Sequence, residues 1–323
     1  MAKKSRVKAR EGAAAAGAEG AVGPRQPCPC GSGRRYKACH GAPGGPAPVF
    51  VSRPFAGLPA ECDVVAMREL VPAATLDYRL ADGVAPERED RTVRVCSLLP
   101  MAAPAMVRES GAIWLGLQVQ HAFGDPSRDL AAVLEAALAQ AAAGEPGIVG
   151  LTSDPGAGSR LQDLLDLASE PELTVHEGFD YWVSDRDDQD DLAAALDQAN
   201  ESVYPTARLT GLGAAYWTNV GPKEHLRWVM PEPEDALLDA LARLHAAGRD
   251  RLVDDGRLVG MFRAHGVLAP VWDLPVGTGP EAIEEPAAAF AEALAEALAL
   301  DTPLTAEERS ARAGLANRQV TIR

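Results

Sequence analysis

Three thiols and one imidazole fall within thirteen residues near the start of the chain. They are Cys28, Cys30, Cys39 and His40, in the run Cys-Pro-Cys-Gly-Ser-Gly-Arg-Arg-Tyr-Lys-Ala-Cys-His-Gly over residues 28–41. Three cysteines and a histidine are a donor set that a four-coordinate structural zinc takes. The fixed φ of Pro29 holds the first two thiols on a tight knuckle. Gly31-Ser32-Gly33 tolerates positive φ and lets backbone N–H groups turn toward thiolate sulfur. A segment this short cannot build a core, and ordering its backbone costs about 1–2 kcal/mol per residue. Structural zinc in small peptides contributes about 10–16 kcal/mol, so folding here is expected to track the metal. A disulfide between Cys28 and Cys30 would be badly strained.

The pattern Cys-x-Cys-Gly-Ser-Gly-x-x-Tyr-Lys-x-Cys-His-Gly resembles the SEC-C zinc motif, known from the C-terminal tail of the SecA preprotein translocase motor and found attached to many otherwise unrelated bacterial proteins. The resemblance covers about fifteen residues. It implies Zn2+ as the bound group and Cys28, Cys30, Cys39 and His40 as its ligands. It also implies a protein partner, ribosome-proximal in character, for the knuckle. It does not imply a SecA motor, because the motif here is N-terminal and no Gly-x-x-x-x-Gly-Lys-Ser/Thr phosphate loop occurs anywhere. The arrangement as a whole resembles an uncharacterised actinobacterial family that carries this motif ahead of an unassigned α/β body.

The elements behind the motif belong to a chain of 323 residues, 47% of them apolar, enough for one large or two small domains. Net charge is −15 but unevenly placed. Residues 1–41 hold nine Lys/Arg against Glu11 and Glu19, a balance of +7 that leaves −22 on the rest. A body of that sign repels phosphates, so any contact with RNA or another polyanion is expected through the basic tail, and weakly. The basic start, Met-Ala-Lys-Lys-Ser-Arg, is followed by Ala and Gly and not by an apolar core, so it does not read as a secretory signal. No apolar run approaches the ~20 residues of a membrane span. The expected location is cytoplasmic. Cys62 and Cys96, in strand-like apolar segments, read as buried small hydrophobes.

Residues 1–26 are basic and Ala/Gly-rich and are expected to be disordered. The knuckle occupies 27–42. Residues 43–60 carry Pro43, Pro46, Pro48, Pro54 and Pro59 and read as a semi-rigid linker. The body spans 61–300, with a break near 150–210 if it divides into two halves, and 301–323 read as a polar tail. Strands are expected at 63–70, 92–98, 112–119 and 173–183, with hairpins at 212–230 and 258–273. Helices are expected at 127–143, 160–168, 233–247 and 286–300, and in a stretch ending at about Asn200. These elements predict an α+β or α/β fold, a mixed sheet with packed helices behind a small N-terminal zinc knuckle.

Other candidates read more simply as structure. The run 184–191 holds five carboxylates. Read from Asp185, however, a calcium-hand loop would need Gly and Glu where Asp190 and Leu196 stand. The acidic residues instead suit the first turn of the following helix. Gly156-Ala157-Gly158-Ser159 before a helix is a weak anion cradle and reads as an ordinary loop. His121, His176, His225, His245 and His265 show no metal spacing. The five tryptophans lie in strand-like segments and read as core. No catalytic residue is identified. The reading is a zinc-binding adaptor whose knuckle contacts a protein partner, with the knuckle either a binding surface or a staple. The alternative is an enzyme with no sequence signature, recruited to substrate by the knuckle.

Overall fold

The computed structural model describes residues 35–38, 50–88, 91–183 and 189–322. The chain divides into two compact units, 1–48 and 49–323. The larger unit is a mixed α+β body built on two six-stranded sheets. Its elements, in order, are α1 Glu61–Glu69, β1 Ala74–Arg79, β2 Thr92–Cys96, β3 Ala105–Val107, β4 Ile113–Gly116, α2 Pro126–Ala142, β5 Gly147–Val149, α3 Leu161–Leu164, β6 Glu172–Val175, α4 Gln189–Asn200, β7 Thr206–Arg208, β8 Ala215–Asn219, β9 Glu224–Trp228, α5 Glu234–Ala246, β10 Arg257–Ala264, β11 Val267–Leu274, α6 Glu281–Leu298, α7 Ala306–Ala316 and β12 Gln319–Thr321.

The first sheet runs β5-β3-β4-β2-β1-β6, with β2 and β4 parallel and the other neighbours antiparallel. Its period-two alternation divides the side chains cleanly. Leu76, Tyr78, Val93, Val95, Ile113 and Leu115 face a core shared with α1 and α2. Cys96 and Trp114 face a second layer closed by Phe179 and Tyr181, with Trp182 packed against it. Helix α2 supplies Leu130, Val133, Leu134 and Ala137 at helical spacing. It starts where Asp125 accepts a hydrogen bond from Ser127 N at 3.2 Å, with Pro126 in the first turn, and stops at Gly144, whose φ of +69° suits only glycine well.

The second sheet runs β12-β10-β11-β9-β8-β7. One face of it, Leu226, Trp228, Leu258, Leu268, Trp272 and Leu274, packs on α5, α6 and α7 through Leu237, Leu241, Ile283, Phe290, Leu294 and Leu315.

Helix α1 joins the two sheets. Val64, Val65, Ala66 and Met67 are buried in the first core, which Tyr216, Ala264, Val267 and Ala269 of the second sheet complete together with Val229 just after β9. Polar bonds fix the same seam. Arg208 donates to Asp63 from Nε at 3.0 Å and from Nη2 at 3.2 Å, the Tyr216 hydroxyl donates to Asp63 at 2.6 Å, and Arg227 donates to the Leu70 carbonyl at 3.2 Å.

The structure corrects three expectations. The expected strand 63–70 is α1. Its Val-rich stretch has β propensity, yet burial of five consecutive residues between two sheets selects the helix. The second part of the expected linker belongs to the body, because Phe55 and Leu58 are in its core and the Tyr78 hydroxyl donates to the Pro59 carbonyl at 2.6 Å. The expected polar tail 301–323 folds into α7 and β12, with Leu315 fully buried and β12 paired parallel to β10. Two smaller differences concern 160–168, which holds a single helical turn, and 173–183, which is a strand to Val175 and a 3-10 turn at Asp180–Val183.

Candidate functional site

The four expected ligands, Cys28, Cys30, Cys39 and His40, lie outside the described residues, as does the basic tail 1–26. Of the motif itself, the described part is a 3-10 turn at Tyr36–Ala38, closed by Ala38 N donating to the Arg35 carbonyl at 2.8 Å. That turn ends at the residue before Cys39. It leaves Arg35 and Lys37 exposed and Tyr36 half-buried. The donor chemistry fits a closed zinc site, since three thiolates and one imidazole complete a tetrahedron without a water position. Bound zinc would supply a cross-link between the two halves of the knuckle.

The described part of the body holds several polar clusters, most of them knit into the fold by hydrogen bonds and ion pairs. Among the described residues no three His, Cys, Asp or Glu side chains are grouped to hold a metal. Cys62 has its thiol pushed up to about 12 by burial, and the burial of Cys96 raises that thiol as well, so neither is a thiolate nucleophile near neutrality. Each histidine has a local explanation. His176 Nε2 lies 2.9 Å from the Thr75 hydroxyl, and burial lowers its pKa. His245 Nδ1 is 2.6 Å from Asp250, and His265 Nε2 is 2.7 Å from Glu69. His225 Nδ1 is 3.0 Å from Asp273. His121 borders a cavity of about 10 Å³ with Arg68 and Asp129, enough for one water. Burial there pushes the Asp129 carboxyl up to about 6.

The loop 156–159 is the opposite of an anion cradle. The Arg128 guanidinium donates to the carbonyls of Gly156 at 3.1 Å and Ser159 at 3.0 Å. A Cβ on Gly158 would lie 2.4 Å from Arg128 Nη2, so the guanidinium sits directly against this glycine. The tryptophans act as packing groups: Trp114, Trp228 and Trp272 are buried, while the half-buried Trp182 and Trp217 bond their indole N–H to Leu98 and Glu224. Arg108 lies 4.3 Å over the Trp114 ring. Of the acidic run 184–191, the residues from Gln189 onward open α4, and 184–188 lie outside the described residues.

Sequence reasoning missed a groove of about 280 Å³ on the second sheet, on the face turned away from α5 and α6. It is lined by His225, Arg227, Val259, Phe262, Val271 and Arg318, among others. The sequence signal was Gly260 inside a strand, which marks a bulge or a close backbone approach. Both occur here: the register slips between Leu258 and Gly260, and a Cβ on Gly260 would lie 2.6 Å from the Arg318 carbonyl.

The molecule is therefore a two-sheet α+β body preceded by a Cys3His motif. Residues 54–323 match the model of a family of unknown function, DUF5926, so the chain belongs to that family, and residues 25–42 match the SEC-C motif. No curated protein and no solved structure matches the chain. No helix among the described residues is long and apolar enough to cross a membrane.

Proposed function

We propose that the protein is a zinc-binding adaptor of the cytoplasm, in which Cys28, Cys30, Cys39 and His40 hold one Zn2+ and the folded knuckle contacts a protein partner. The observation that carries this reading is the match of residues 25–42 to the SEC-C motif, with all four donors present inside it. The exposed Arg35 and Lys37 on the turn before Cys39 support it, since they give the knuckle a cationic rim without competing for the metal. The basic residues of 1–26 add electrostatic steering toward a polyanionic neighbourhood such as ribosomal RNA. The lone aromatic of the head, Tyr36, favours a protein partner over stacked bases.

The test compares the intact protein with Cys30→Ser in affinity capture from native cytosol, followed by titration of the captured protein across a salt series. The adaptor reading expects one stoichiometric partner that is lost with Cys30→Ser and that keeps much of its affinity at high salt. Retention by Cys30→Ser, with affinity that falls steeply on salt, would show that the basic arm binds polyanions by itself. The knuckle would then be a staple.

A further inference from the structure

We propose that the groove on the open face of the second sheet binds a small organic anion, an oxyanion head of the carboxylate or phosphate class carried on an apolar body. Among the described residues, two cations lining this groove, the half-buried Arg227 and the exposed Arg318, lack a counter-charge. Arg227 on β9 pairs in register with Val271 on β11, and Val271 pairs with Gly260 on β10. Gly260 in turn admits the backbone of Arg318 from the start of β12. One transverse row across four strands therefore places two guanidinium groups on the same groove.

Among the described residues, neither arginine has a carboxylate within ion-pair distance. Arg227 spends one hydrogen bond on the Leu70 carbonyl, and Arg318 spends two on the carbonyls of Gly314 and Leu258. The carboxylate of this face, Asp273, is already engaged by Lys223 at 2.6 Å, His225 at 3.0 Å and Arg257 at 3.5 Å. Burial disfavours the charged form of Arg227, with no nearby anion acting in the other direction. Two guanidinium groups that face one groove, with no carboxylate in ion-pair distance among the described residues, form a place where an anion is stabilised.

The remaining walls decide what the anion carries. Val259, Phe262, Val271 and Val320 are apolar, and Val320 is 57% exposed at the rim. A bare inorganic ion would leave these walls wet, whereas an apolar body covers them. The volume, about 280 Å³, lies at the small end of ligand sites and suits a single-headed molecule.

The test is isothermal titration calorimetry on the full-length protein at low ionic strength, with octyl phosphate, octanoate, inorganic phosphate and octanol as probes. Saturable 1:1 binding of octyl phosphate or octanoate is expected, with the stronger of the two showing which head the arginines prefer. Inorganic phosphate and octanol should each bind at least about tenfold more weakly. Arg227→Gln and Arg318→Gln should each weaken the tailed anion about tenfold, while Arg249→Gln, the same charge change far from the groove, leaves it within about twofold. Cys30→Ser should leave it unchanged, which separates this site from the zinc reading. If Arg227→Gln fails to melt cooperatively because it also caps α1, Arg318→Gln decides alone. Three results would each overturn the proposal: no saturable binding of either tailed anion, inorganic phosphate binding as tightly as octyl phosphate, or undiminished binding in a folded Arg318→Gln protein.

Discussion

Glu224 is buried at the start of β9, and its carboxylate gathers the Gly277 and Gly279 N–H groups at 2.6 and 2.9 Å and the Trp217 indole at 2.8 Å. Gly277 and Gly279 have φ of +91° and +74°, so the loop that leads into α6 wraps the carboxylate with backbone only glycine adopts easily. Burial works to raise the Glu224 carboxyl, but the donors from Gly279, Gly277 and Trp217 outweigh it and hold the group below the usual carboxylate range. A depressed carboxyl contributes stability that is complete above its unfolded value, about 4.3, and is lost as pH falls through the folded value. Glu224→Gln is expected to cost about 1–2 kcal/mol at neutral pH, from weakened charge-assisted bonds. It should also flatten the loss of stability below about pH 4. Urea melts of both proteins at neutral and acid pH check this, and parallel pH profiles would contradict it. Nothing in the sequence announced this role, because Glu224 and the glycines it binds are some fifty residues apart. The four proposed zinc ligands could be picked out for the opposite reason, since Cys28, Cys30, Cys39 and His40 lie within one short stretch of sequence.

At the level of elements, legibility follows the same rule. Helices α2 and α5 declared themselves through apolar spacing and the Gly144 and Gly248 stops, and the hairpin β10–β11 through two Val-rich runs around His265-Gly266. Helix α1 did not, because its Val-rich face is buried on more than one side and so lost the amphipathic signature. Helix α7 was hidden by the reverse condition: it buries a single residue, Leu315, and its other positions are small or polar. Its attachment is nonetheless specific. Thr305 accepts from Glu308 N at 3.2 Å while Glu308 accepts from Thr305 N at 2.7 Å, which caps the helix. Arg312 bridges to Asp235 and Asp239 on α5, both at 2.5 Å. A chain ending at Leu300 is therefore expected to be destabilised by about 3 kcal/mol or more, since it strips cover from the α5 core and unpairs one edge of β10. A drop in the urea midpoint measures this, and an unchanged midpoint would show that α7 and β12 are dispensable.

At the scale of the whole molecule, the chain combines a basic head with an acidic body, +7 in residues 1–41 against −22 elsewhere. The body carries three clusters of buried apolar residues, and the knuckle carries none among its described residues. The adaptor reading expects a segment this short to depend on bound zinc in a way the body does not. The adaptor reading therefore rests on the zinc, and the most direct measurement is metal content by plasma mass spectrometry on protein purified without chelators, intact and as Cys30→Ser. One zinc per chain is expected in the intact protein and about none in the variant, since a missing thiolate opens the closed tetrahedron. Absence of zinc from the intact protein, or its full retention by Cys30→Ser, would contradict that reading.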